Sequence, residues 1–134
     1  MLRLGAERDE LRVVDDQVGA PTPARLIAEI TAQVVAQWSN DGAATDGVYH
    51  VVASGQTSWC GFARAILERA QRAGLIERVP AVHAIRTSDY PTRAKRPAFS
   101  VLDTTRLREA FGITLPDWRT GLDGVMRELA ETRS

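Results

Sequence analysis

Short strand-like runs alternate with amphipathic helical segments along this chain, and the runs are too few and too short to make a sheet of their own. LRVVD at residues 11–15, VYHVV at 48–52, VHAIRT within 79–87 and the stretch Phe99 to Leu102 are the strand candidates. Alternation of this kind favours an α/β arrangement. A sheet of such pieces is marginal alone and does better added to a larger one.

The helical segments are read from apolar spacing. Met1 to Glu10 looks like the end of a helix, since no capping residue precedes it. A chain that opens in this way suggests a missing upstream part. After the loop Gln17 to Pro23, Thr22 is placed to cap the next helix and Pro23 to sit in its first turn. Ile27, Ile30, Val34 and Trp38 then share a face, with a stop expected near Ser39-Asn40-Asp41-Gly42. A further helix carries Trp59, Phe62, Ala63, Ile66, Leu67 and Ala70, and Gly74 closes it. Asp103 or Thr104 caps the run TTRLREAF, which Gly112 ends. Pro116-Asp117 opens a last helix with Trp118, Leu122, Val125, Met126 and Leu129 on one side. Trp38, Trp59 and Trp118 all fall at apolar-face positions and are expected in the core.

Composition narrows the function. The 134 residues carry 17 basic and 17 acidic side chains, so no electrostatic footprint for nucleic acid or an anionic membrane stands out. No apolar stretch approaches the ~20 residues of a membrane span. The N-terminus is too acidic and too short of apolar residues for a signal peptide. Cys60 is the only cysteine, which excludes an internal disulfide and fits a cytoplasmic protein. It is expected to be inert, because no base partner is evident. His50, His83 and Cys60 are too dispersed for a zinc site, so no metal site is expected. His50 reads as structural.

Redox chemistry of the short-chain type is missing from these residues. No glycine-rich turn of the G-x-G-x-x-G kind appears, so nothing here is shaped to hold a dinucleotide pyrophosphate. The two tyrosines, Tyr49 and Tyr90, are followed four residues later by Ala53 and Ala94 rather than by lysine. The Tyr-x-x-x-Lys pair, in which lysine lowers the phenol pKa for proton transfer, is therefore absent.

Three segments in order carry a resemblance. They are LRVVDDQVGAPTPARLIAEI (11–30), GVYHVVASGQTSWCGFARAI (47–66) and TSDYPTRAKRPAFSVLDTTRL (87–107), followed by FGITLPDWRTGL. The patterns DDQ-x-G-x-PT and YPT-x-A-x-RP with S-x-LD are the specific parts. Together they resemble the C-terminal half of dTDP-4-dehydrorhamnose reductases, in the extended short-chain dehydrogenase superfamily. The resemblance spans about residues 2 to 130.

That resemblance implies an α/β fold with about four helices. Residues 1–134 would be the C-terminal substrate-binding part of an NAD(P)-binding Rossmann-type protein whose N-terminal half is absent. It implies reduction of dTDP-4-dehydro-L-rhamnose to dTDP-L-rhamnose by the full-length enzyme with NADPH, and no cofactor bound by this chain alone. A homodimer of the full-length enzyme stays open. So does a different class, a non-catalytic regulatory or binding subunit with the same lobe.

It also gives residues a task. Arg93, Lys95 and Arg96 lie in one loop and suit the diphosphate of a dTDP-sugar, although a solvated charge run fits them equally well. Gln17 and Thr22 offer hydrogen bonds to sugar or base. Gly19 and Pro21 shape a tight loop, and Pro97 and Ser100 hold the far edge of the pocket. Tyr90 either lines that pocket or packs a turn. Asp15 and Asp16, adjacent at a strand end, point to opposite faces and are expected to make loop contacts.

Overall fold

The computed structural model describes residues 1–41 and 46–133. Along the chain run α1 (Leu2–Glu7), β1 (Glu10–Val14), β2 (Val18–Gly19), α2 (Ala24–Asp41), β3 (Thr57–Ser58) and α3 (Trp59–Arg72). They are followed by β4 (Ala81–Ile85), a 3-10 turn (Thr87–Asp89), α4 (Thr105–Phe111) and α5 (Trp118–Arg133). The α/β class expected from the alternation is what forms, with five α-helices among the described residues rather than about four.

Helix α3 is the hub, touching α1, α5, β1 and β4. Cys60, Ala63, Leu67 and Ala70 recur at helical spacing and all are buried, so small residues let neighbours come close while Leu67 fills the gap between them. Burying a leucine fully is worth about 1.5–3 kcal/mol. Helix α1 docks through Gly5, where any added Cβ would run into the Leu67 side chain. At its start α3 is capped by Ser58, whose Oγ accepts from the Gly61 N–H at 2.9 Å. At its end Gly74 N–H donates to Gln71 and Leu75 N–H donates to Ala70, with Gly74 at φ +69°. Those two bonds are a Schellman ending, which needs the left-handed residue that glycine supplies.

Strands β1 and β4 pair in parallel, from Glu10 opposite Ala81 to Val14 opposite Ile85. Leu11 and Val13 are buried while Glu10 and Arg12 are exposed, the period of two that puts one strand face against α3. Leu26 and Ile30 of α2, Leu107 of α4, and Trp118, Leu122 and Met126 of α5 complete the core. No helix among the described residues is long and apolar enough to cross a membrane.

Several expectations are corrected. The stretch Val48 to Val52 forms no strand. Side chains take the backbone at its edges: Arg106 donates to the carbonyls of Asp46 and Val48, and the Ala53 N–H, just past the stretch, donates to Thr22 Oγ1. Phe99 to Leu102 yields only one bridge, Val18 to Phe99. Thr22 does not cap α2, because its hydroxyl donates to Ala20 O and accepts from Ala53. The inward stripe of α2 is Leu26, Ile30 and Val34, leaving Ile27 exposed. Trp38 and Trp59 are 58% and 57% exposed, whereas Trp118 is 3% exposed, so only one of the three tryptophans is core. Helix α2 is described as far as Asp41; Gly42, part of the expected stop, lies outside the described residues.

Candidate functional site

Strand β2 is the spine of the site. It pairs antiparallel with β3, Val18 opposite Ser58 and Gly19 opposite Thr57. On its other edge Val18 N–H donates to Ala98 O, and Ser100 N–H donates to Val18 O. Segments at 18–19, 57–58 and 98–100, far apart in sequence, are thereby stitched into one small ribbon. At Gly19 a Cβ would stand 2.8 Å from Ser100 Oγ, so a side chain there would have to displace that hydroxyl.

Beside the ribbon lies a cavity of about 650 Å³, the size range of small-molecule sites. One wall is helical and apolar: Trp59, Phe62 and Ile66 of α3 with Trp118, Leu122 and Met126 of α5. Phe62 and Trp118 meet edge to face with ring centroids 5.8 Å apart, a favoured aromatic geometry. The other wall is formed by the Gln17 to Pro23 segment, which includes β2, and by Arg96, Pro97 and Ser100. The site sits past the carboxyl end of β1, the end at which open parallel sheets bind ligands.

Two adjacent carboxylates fasten the loops to the frame. Asp15 accepts the Ser58 hydroxyl at 2.5 Å, tying β1 to the start of α3. Asp16 accepts the Thr87 N–H at 2.9 Å and the Thr87 hydroxyl at 2.6 Å, tying β1 to the end of β4. These Thr87 bonds, the hydroxyl's first, hold the Asp16 carboxyl below its ordinary value. The two acids thus serve opposite sides of the strand. Cys60 is fully buried behind the cavity, and burial pushes its thiol up, against any nucleophilic use. Among the described residues no three His, Cys, Asp or Glu side chains gather as metal ligands.

Of the nine residues singled out from sequence, seven line the cavity: Gln17, Gly19, Pro21, Thr22, Arg96, Pro97 and Ser100. Arg93 and Lys95 do not, although all three basic residues of this loop are exposed. Arg96 forms no ion pair among the described residues. Thr22 lines the cavity but has committed its proton to Ala20. Tyr90 is 58% exposed and is not part of the lining.

Sequence reasoning missed Thr57, Ser58, Trp59 and Phe62 as lining. It also missed Thr87 as a support. The run Thr57-Ser58-Trp59 at a helix start was the available signal. A first-turn aromatic beside a capping serine sits at the rim of a helix rather than along its buried stripe.

Residues 1–131 match the family model described as the RmlD substrate binding domain. The chain belongs to that family. This RmlD substrate binding domain is 42% identical to a dTDP-4-dehydrorhamnose reductase of Shigella flexneri, over 98% of this chain and 44% of that protein. It is 48% identical to the Burkholderia thailandensis protein of the same name, over 96% of this chain and 45% of that protein. A Bacillus anthracis dTDP-4-dehydrorhamnose reductase, solved in complex with NADP, superposes with a TM-score of 0.81 at 29% identity. That match covers 95% of this domain and 41% of that chain. The domain therefore spans less than half the length of the relatives it matches.

Proposed function

We propose that this chain forms the substrate side of an NADPH-dependent dTDP-4-dehydrorhamnose reductase. It would hold the dTDP-sugar while the remainder of such an enzyme supplies cofactor and proton donor. The observation that carries the reading is the convergence of Arg96, free of any ion pair among the described residues, with the Gln17 to Thr22 loop on one cavity. A guanidinium at the rim answers the diphosphate. The polar loop answers sugar or base, and the apolar helical wall excludes water behind them.

The dinucleotide does not fit the residues present. β1 leads into the Gln17 loop and β4 into the 3-10 turn, so neither parallel strand passes through a glycine-rich turn into a helix. No hydride or proton step is assigned to this chain. Its part in the reduction is to bind and orient.

Titration of the purified chain by calorimetry tests this. A dTDP-hexose should bind, and NADPH should show neither binding nor oxidation. Arg96→Ala should weaken the dTDP-hexose about 10- to 100-fold, the range for a hydrogen bond to a charged group. Arg93→Ala should change it far less. Turnover of NADPH by the 134 residues, or an Arg96→Ala chain that binds as wild type, would sink the reading.

A further inference from the structure

The orientation of one cavity amide is dictated by a chain of hydrogen bonds that begins at a carboxylate. Asp16 accepts two hydrogen bonds from Thr87, one from its N–H and one from its hydroxyl. An ionised carboxylate has no proton to return. The single hydroxyl proton of Thr87 is therefore committed to Asp16, and the Thr87 oxygen can only accept from its other neighbour. That neighbour is the Gln17 side chain, 3.0 Å away. Of the two ends of the Gln17 amide only the NH2 can donate, so the NH2 must face Thr87. The carbonyl Oε1 is left without a protein partner among the described residues, on a side chain that lines the cavity.

We infer that Asp16 and Thr87 are positioning residues that lock Gln17 as a hydrogen-bond acceptor in the cavity, selecting ligands that present a donor there. The inference rests on the substrate reading above and makes it more specific. Two parts of a dTDP-sugar supply donors, the sugar hydroxyls and the N–H of the pyrimidine ring. A group that is itself only an acceptor, such as a phosphate oxygen, is rejected at this point, because two acceptors would be left facing each other. The carboxylate is not a ligand contact; it acts two bonds away.

The test has a structural arm and a binding arm. In the nuclear magnetic resonance spectrum of the wild-type chain, the Gln17 side-chain NH2 protons should show through-space contacts to the Thr87 methyl group. Their absence in a folded chain overturns the locked orientation. In the binding arm, dTDP and a dTDP-hexose are titrated into wild type, Thr87→Val, Thr87→Ser, Gln17→Ala and the double variant Gln17→Ala/Thr87→Val. Thr87→Val should weaken binding about 3- to 10-fold, the effect of one neutral hydrogen bond. Thr87→Ser, which keeps the hydroxyl, should stay within about twofold. In the Gln17→Ala background Thr87→Val should change nothing further, since Thr87 acts through Gln17.

An equal loss for both probes assigns the donor to the nucleoside, and a loss for the hexose alone assigns it to the sugar. A Thr87→Val chain that binds both probes as wild type overturns the inference and leaves the substrate reading standing. A further loss on adding Thr87→Val to Gln17→Ala also overturns it. A wild-type chain that binds neither probe overturns the substrate reading and the acceptor role with it, while the spectrum still decides the amide orientation.

Discussion

One wall of the cavity is held by packing and the other by hydrogen bonds. The helical wall, α3 against α5, shares its residues with the core: Trp118, Leu122 and Met126 line the cavity and are also among the most buried side chains. The loop wall has little core behind it. Gln17 to Pro23 and Arg96 to Ser100 are placed by the ribbon bonds of Val18, by the Thr22 hydroxyl and by the paired carboxylates. A packed wall resists deformation in every direction. A wall tied at discrete bonds can be loosened one tie at a time, and this is the side that carries the polar groups for a ligand. The rigid side supplies shape and the tied side supplies recognition.

Substitutions can break this contrast. The largest effect should come from Trp118→Ala, which empties a buried aromatic site and should lower stability by about 3–5 kcal/mol in urea unfolding. A loss below about 1 kcal/mol would mean that the helical wall is not packed as described. Next comes Thr22→Val, which keeps the shape but leaves the Ala53 N–H, in a residue only 2% exposed, without its acceptor. The expected cost is about 1–3 kcal/mol; no measurable loss would show that the loop wall does not depend on that tie.

Trp59→Ala should fall within about 0.5 kcal/mol of wild type, because the ring is mostly exposed, yet it should weaken a bound dTDP-hexose. A stability loss near that of Trp118→Ala would show that the helical wall is packed out to its rim and not only where α3 meets α5.

The smallest effect concerns acid. Asp16 has its carboxyl held below the ordinary aspartate value of about 3.9. Its clasp on Thr87 therefore contributes fully above that value and is lost as pH falls through the lower folded value. Unfolding curves taken below about pH 4 should show a pH-dependent step that Asp16→Asn flattens. An unchanged profile in Asp16→Asn would show that the clasp does not titrate with the fold.

Much of the helical wall was legible in the sequence. Spacing in Ala63, Leu67 and Ala70 marks the inward side of α3 and Gly74 its end, whereas Cys60 on the same stripe is not among the residues read from the spacing. What spacing does not report is how far a face is covered. Trp38 and Trp59 sit at apolar positions and still stay mostly exposed, because the stripe is wider than the surface that the described residues bury. The run VYHVV failed as a strand for a related reason. β-branched residues show that a segment suits a sheet, but the ladder needs a neighbouring strand, and among the described residues this run pairs with none. The polar loops were legible as clustered motifs, with seven of the nine chosen residues meeting at one cavity. The ties themselves were not, since the bonds from Asp16 to Thr87 and from Thr22 to Ala53 join positions 71 and 31 residues apart.

Gly5 against Leu67 has a consequence for how this chain tolerates changes in length. The contact is a registration mark: only one residue of α1 is small enough to sit there. Shortening the Arg8-Asp9 connection by one residue would turn the helix by about 100° about its axis or shift it along Leu67, and either movement brings a side chain to the mark. Substitutions on the outer face, at Arg3 or Glu7, leave it untouched. Insertions and deletions between α1 and β1 should therefore be far more disruptive than point changes on the surface of that helix.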